Sequence, residues 1–179
     1  MRSKKVTPLS LADEIEVPLH LITAKITPDS DLCGIVGGDW DLERRYELKA
    51  AIKHRAMYEH FVLGTPWEET DLFRFNYTER LTREPIKRQT SIGGLVEFYE
   101  RRVDTLFKSM KQHGYDRTSK PKPRVMIGRD GEIFLTNQGN HRIAIAKLLD
   151  IESVPCGVQC RHEQWLKLRT RYPTHPDCR

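Results

Sequence analysis

Arg124-Val125-Met126-Ile127-Gly128-Arg129-Asp130-Gly131-Glu132-Ile133-Phe134-Leu135 runs on through Thr136-Asn137-Gln138-Gly139-Asn140-His141-Arg142 into Ile143-Ala144-Ile145-Ala146-Lys147-Leu148-Leu149. Two short runs of β-branched and apolar residues flank Gly128–Gly131, and Asp-Gly is a strong hairpin signal, so the first half reads as a pair of antiparallel strands. Gln138-Gly139-Asn140 then turns the chain into a compact apolar helix from His141 to Leu149, and Ser153 to Cys160 returns as a strand.

Upstream, Ile92, Leu95, Val96, Tyr99, Val103, Leu106, Phe107 and Met110 follow helical spacing, so one helix is expected from Ser91 to His113, ended by Gly114. Tyr115 to Pro123 carries lysines and prolines and cannot continue it. Before it, Tyr77 to Ser91 is polar, basic and irregular, and Thr65-Pro66-Trp67-Glu68 starts a short helix reaching about Phe75. Leu42 to about Phe61 has helical composition and follows a glycine-rich loop, Gly34 to Asp41, either of whose aspartates is suited to cap it. Val17 to Ile26 reads as a single strand closed by Pro28-Asp29, and a last helix runs from about His162 to Arg171.

The chain of 179 residues has 30 Lys+Arg against 25 Asp+Glu, a formal charge of +5, and is 38% hydrophobic, enough for one core of ordinary size. One domain overall is expected, divided as an N-terminal strand and helical extension (1–84), a core (85–160) and a C-terminal helix and tail (161–179). No apolar run approaches the roughly 20 residues of a membrane span, and the start lacks a signal-peptide core. No membrane partner and a cytoplasmic setting are therefore expected. Four scattered cysteines, Cys33, Cys156, Cys160 and Cys178, suit reduced thiols better than a disulfide framework.

The segment from Asn137 to Arg142 is a strand end, a glycine turn and the first turn of a helix, a geometry that leaves backbone N–H groups pointing out of the helix N-terminus. Such a site attracts anions. Gly139 would let the backbone approach a phosphate, Asn140 would cap, and Arg142 offers a planar fork for phosphate oxygens. His141 adds a donor, or an acceptor when neutral. The plain alternative is a tight turn, a cap and a solvated arginine.

Val125-Met126-Ile127, Asp130-Gly131, Gly139-Asn140-His141-Arg142 with the helix to Leu149, and Val154-Pro155 together resemble the core of the ParB/sulfiredoxin superfamily over about Ile92 to Cys160. The resemblance implies an α/β (α+β) fold with a small mixed sheet and packed helices, to which this chain adds the N-terminal extension. It also implies that Gln138, Gly139, Asn140, His141 and Arg142 bind a nucleotide cofactor through its phosphates. Sulfiredoxins place a nucleophilic cysteine between the motif glycine and His-Arg. Here that residue is Asn140, so sulfinate reduction is not expected. About 20 residues follow Cys160, too few for the helix-turn-helix domain of centromere-binding members, so plasmid partitioning is not expected either.

Free serine kinases of the superfamily use an aspartate before the motif glycine. This chain has Gln138, and an amide is no general base. Asp39, Asp41, Glu132 and Asp130 are the carboxylates available for that role, with His141 as a further catalytic candidate. Asp39 and Asp41 after Gly37-Gly38 would also suit a hydrated Mg²⁺ that touches a nucleotide's phosphates, or else a capped loop around Trp40. Cys156, Cys160, His162, His175 and Cys178 include zinc-type ligands but match no paired spacing, and read as ordinary thiols and imidazoles.

The expected function is nucleoside-triphosphate binding, ATP or CTP with Mg²⁺, with hydrolysis or phosphoryl transfer to a small acceptor. A homodimer is among the expected partners. The alternative is a nucleic-acid-binding protein or ParB-like nuclease. In that reading Arg74, Arg80, Arg83, Lys87 and Arg88, interleaved with Phe73, Phe75 and Tyr77, track DNA or RNA.

Overall fold

Val17 and Ile22 are both fully buried, yet they lie on two strands and not on the single one expected. The computed structural model describes residues 14–27, 32–43 and 45–171. It places β1 at Glu14–Pro18 and β2 at Ile22–Ile26, with a 3₁₀ turn at Leu19–Leu21 between them. Then come β3 (Gly34–Val36), α1 (Trp40–Glu43), β4 (Arg45–Glu47), α2 (Ile52–Phe61), α3 (Thr78–Leu81), α4 (Ile92–Tyr99) and α5 (Thr105–His113). The chain ends with β5 (Arg124–Ile127), β6 (Ile133–Leu135), α6 (Asn140–Leu148), β7 (Ser153–His162) and α7 (Glu163–Arg171). The turn expected at Pro28-Asp29 lies outside the described residues.

The described residues form two compact units, one from those between 14 and 48 with 120–139 and 152–171, the other from 49–119 and 140–151. β1, β2, β3 and β4 pair into the same sheet as the hairpin.

The first unit is a mixed sheet in the order β1-β7-β5-β6-β2-β4, with β3 also paired to β7. β5 and β6 form the expected antiparallel hairpin, with Val125 opposite Leu135 and Ile127 opposite Ile133. β7 is long enough to hold β1 antiparallel along Ser153–Gly157 and β3 parallel along Cys160–His162, while β5 runs parallel to it on the other edge. The break after Pro18 is what sends β1 to β7 and β2 to β6.

The helix expected from Leu42 to Phe61 is interrupted because Arg45–Glu47 pairs with Ala24–Ile26 of β2, a tertiary demand that overrides helical composition. Likewise Gly34–Val36, expected as loop, is strand because β7 offers it a partner. Ile26, Val36, Met126, Phe134 and Cys160 form the core of this unit, with Ala24, Leu32 and Trp40 packed against them.

The second unit is helical. The run from Ile92 to His113 is helical throughout, as expected, but widens to a π turn at Glu100–Asp104 between α4 and α5. Ser91 Oγ accepts from Gly94 N–H (3.1 Å) and caps the start. Gly114, with φ +75°, ends it. A second π turn at Leu72–Tyr77 replaces the ordinary helix expected to Phe75. Trp67, Phe73, Tyr77 and Tyr99 are buried against one another with ring centroids 4.9 to 6.0 Å apart, mostly in the tilted and edge-to-face arrangements that aromatic quadrupoles favour.

Candidate functional site

The chain leaves the first unit at Gly139 and enters the second at Asn140, and each half of the expected phosphate turn is held by its own unit. In the first, Gln138 Nε2 donates to the Lys122 carbonyl (3.1 Å), and the Gln138 carbonyl accepts from Arg124 N–H (3.2 Å). A carboxylate in place of this amide would face the Lys122 carbonyl with no proton to give. The amide therefore has a structural job that an aspartate could not do.

Gly139 has φ +91°, and a Cβ there would stand 2.6 Å from Pro123 Cα. The missing side chain is thus demanded by packing against Pro123 and by a backbone conformation that other residues resist.

In the second unit, α6 begins at Asn140, which is buried, and continues through His141 and Arg142, which are partly buried. The first N–H groups of a helix have no intrahelical acceptor and carry its positive end. Burial, with the charges of Lys53 of α2 and Lys87 of the turn between Ile86 and Gln89, lowers the pKa of His141 to about 4. Arg142 NH1 lies 3.5 Å from Ser119 Oγ. His141 is accordingly a neutral imidazole at neutral pH, set in a positive field. Its Nε2 lies 3.4 Å from Tyr99 Oη, which in turn lies 2.6 Å from Tyr77 Oη. Burial raises the pKa of both phenols, so both stay protonated.

The three carboxylates expected to be catalytic, Asp39, Asp41 and Glu132, come together in the first unit around the β5–β6 turn, beside a residue the sequence reading did not select. Arg129 donates from Nε to both Asp41 oxygens (3.1 and 2.9 Å) and from NH2 to Asp41 Oδ1 (2.7 Å), Asp39 Oδ1 (2.9 Å) and the Gly38 carbonyl (3.0 Å). Its backbone N–H also donates to Asp41 Oδ2 (2.9 Å).

Burial pushes the Asp41 carboxyl up, but the hydrogen bonds from Arg129 outweigh it and hold the group below the usual carboxylate value. A carboxyl depressed on folding contributes stability above its unfolded pKa, and that stability is lost as pH falls through the lower folded value. Gln164 N–H donates to His162 Nδ1 (3.1 Å), which leaves the ring proton on Nε2 to be given to the Gly38 carbonyl (2.8 Å). Glu132 Oε2 accepts from Asp130 N–H (3.2 Å), and Oε1 lies 3.7 Å from Arg45 NH1.

Asp39 and Asp41, the pair expected to hold a metal, face Arg129 in this geometry. A guanidinium already occupies the acceptor positions and supplies the positive charge a cation would bring. The two ends of the hairpin are also far apart, because Gly139 packs on Pro123 just before β5, while Asp41 bonds Arg129 just after it. At about 3.3 Å of rise per residue, β5 sets them roughly 13 Å or more apart.

Among the described residues, no three His, Cys, Asp or Glu side chains are grouped to hold a metal. Of the zinc-type set, Cys156 and Cys160 are buried in the sheet, and burial pushes the Cys160 thiol up to about 12. His175 and Cys178 lie outside the described residues. In the basic stretch, Arg80 and Arg83 pair with Glu84 and Glu79 at helical spacing, and Arg74 stacks on the exposed Phe75. Among the described residues no helix is long and apolar enough to cross a membrane.

Arg129, Lys53 and Tyr99 are not among the site residues selected from the sequence, while His162 enters there only as a zinc-type ligand and Tyr77 only beside the basic stretch. Arg129 alone carried a local signal, a charged residue inside a Gly128–Gly131 turn that needs none. The fold and site define a mixed α/β protein with His141 and Arg142 in the first turn of a helix in one unit and an Asp–Arg network around the buried Asp41 in the other. Compared with known proteins, the chain matches no family model, no curated protein and no solved structure.

Proposed function

We propose that this chain binds a nucleoside triphosphate, ATP or CTP, with its phosphates at the N-terminus of α6, in the manner of the ParB/sulfiredoxin-like class. The observation that carries the reading is the start of α6, whose first turn holds His141 and Arg142 and where the positive charges of Lys53 and Lys87 are felt by His141. The positive end of a helix in such a field suits a polyanion, with backbone N–H groups of that turn as donors and the Arg142 guanidinium as a fork. The choice of a nucleotide over another phosphate rests on the resemblance of Gly139-Asn140-His141-Arg142 to the family turn.

Hydrolysis or phosphoryl transfer needs a base for the attacking oxygen. Gln138 is an amide held to Lys122, and Asp41 is buried against Arg129. Binding is therefore the proposed activity, and turnover by another carboxylate is a separate outcome that product analysis reads. Asp39 and Asp41 do not fit the Mg²⁺ expected there, and no step of the proposal runs through a metal. The nucleic-acid alternative draws less support, because two of its five basic residues, Arg80 and Arg83, are paired with neighbouring glutamates.

The test is a thermal-shift screen of ATP, ADP, CTP and GTP, with and without Mg²⁺, on the wild type and Arg142→Ala. A ligand that binds only the folded state raises its Tm. The expected result is a shift of several degrees with a triphosphate, a smaller one with ADP, and loss of most of it in Arg142→Ala. No shift with any nucleotide in a folded protein contradicts the reading.

A further inference from the structure

We infer that His141 is an acid-sensitive latch: neutral, it fixes the first turn of α6 within the helical unit, and protonated, it releases that turn. The geometry is a buried chain of three groups. Tyr77 Oη and Tyr99 Oη are 2.6 Å apart, Tyr99 Oη and His141 Nε2 are 3.4 Å apart, and the His141 ring meets the Tyr99 ring edge-to-face at 5.4 Å. Tyr77 and Tyr99 are fully enclosed, so this chain anchors the helix start in the aromatic core. A neutral imidazole completes it by sharing one hydrogen bond with a phenol. An imidazolium carries a full charge into the same place.

The charges acting on His141 are those of two cations, Lys53 of α2 and Lys87 of the turn between Ile86 and Gln89. The acidic group of α2, Glu59, accepts from Asp71 N–H instead, its Arg55 pairs with Asp71, its His60 lies against Asp104, and His54 adds a further imidazole. α4 presents the phenol of Tyr99, while its Glu97 is exposed. α5 contributes only basic titratable groups, Lys108, Lys111 and His113, and α6 itself only Arg142 and Lys147. Asp104, in the π turn after Tyr99, faces Trp67 and His60 instead.

Burial, Lys53 and Lys87 accordingly hold the folded pKa near 4 against an ordinary 6.5. Because the folded value is the lower one, the released form takes up the proton first. The latch is at full strength above about pH 6.5 and weakens as pH falls from there toward 4. The same linkage makes the opening equilibrium of this turn rise about 30-fold between pH 8 and pH 5. The device does not depend on the nucleotide reading.

The experiment is hydrogen exchange of peptides from α6 at pH 8 and pH 5, corrected for intrinsic rates and without nucleotide, in the wild type, His141→Gln and a Lys53→Gln/Lys87→Gln double variant. Glutamine keeps a hydrogen-bonding group but does not titrate. The expected result is a rise of about 30-fold in opening for the wild type, a flat profile for His141→Gln, and a clearly smaller rise for the lysine variant, whose His141 charges more easily in place. If His141→Gln does not fold at pH 8, the lysine variant decides. A wild type that does not open in acid, a His141→Gln that opens as the wild type does, or a lysine variant with an unchanged rise overturns the latch.

Discussion

Asp41→Ala is expected to lower the unfolding free energy by about 2 to 3 kcal/mol, read as a fall in the urea midpoint at unchanged slope. The Asp41 side chain is 1% exposed and accepts from the Arg129 backbone and guanidinium together. Its removal strands donors that only this carboxylate satisfies. Breaking a fully buried ion pair costs about 3 to 5 kcal/mol, and this one falls below that range because Arg129 is partly exposed and can turn to water.

Asp39→Ala is the control. Asp39 shares the same guanidinium but its side chain is 65% exposed, so its loss is expected to stay within about 0.5 kcal/mol. Equal effects from the two aspartates would mean that the network does not hold this end of the sheet.

Gly139→Ala is expected to cost at least about 3 kcal/mol. A left-handed backbone costs an alanine about 1 to 2 kcal/mol, and the new Cβ meets the Pro123 Cα and Cβ at 2.6 Å. Backbone cannot step aside as a flexible side-chain end would. Gly93→Ala gives the contrast. It lies on exposed α4 surface with nothing within 4 Å of the added Cβ and no positive φ, and it should stabilise by about 0.5 to 1 kcal/mol. Thermal or urea unfolding of the two variants reads both signs.

The hairpin, α6, β7 and the long helical run were legible because each carries its own local signal: Asp-Gly between β runs, apolar periodicity and a glycine stop. Arg45–Glu47 was not, because its strand state is set by β2, distant in sequence and absent from any local pattern. The two π turns were hidden for a related reason. The Tyr99 to Val103 spacing is the same in an ordinary helix, and only packing makes Glu100–Asp104 widen.

At the site, Asp39, Asp41 and Glu132 are separate candidates in the sequence, and it is the fold that brings them to one turn, where Arg129 joins the two aspartates in an ion-pair network. Gly139 was selected for approach to a ligand, and the reason found for it is Pro123. The positive field at α6 needs Lys53 and Lys87, which come from two separate segments and share no spacing with Arg142. Such convergence is a property of the fold alone.

The most direct test of the central claim is a titration of the ¹⁵N-labelled protein with ATP or CTP, followed through its backbone amide resonances. If phosphates bind at the start of α6, the largest changes fall on Asn140, His141, Arg142 and Ile143, they saturate, and Arg142→Ala removes them while leaving the rest of the spectrum in place. Saturating changes centred on any other segment, or none at all in the folded wild type, would contradict it.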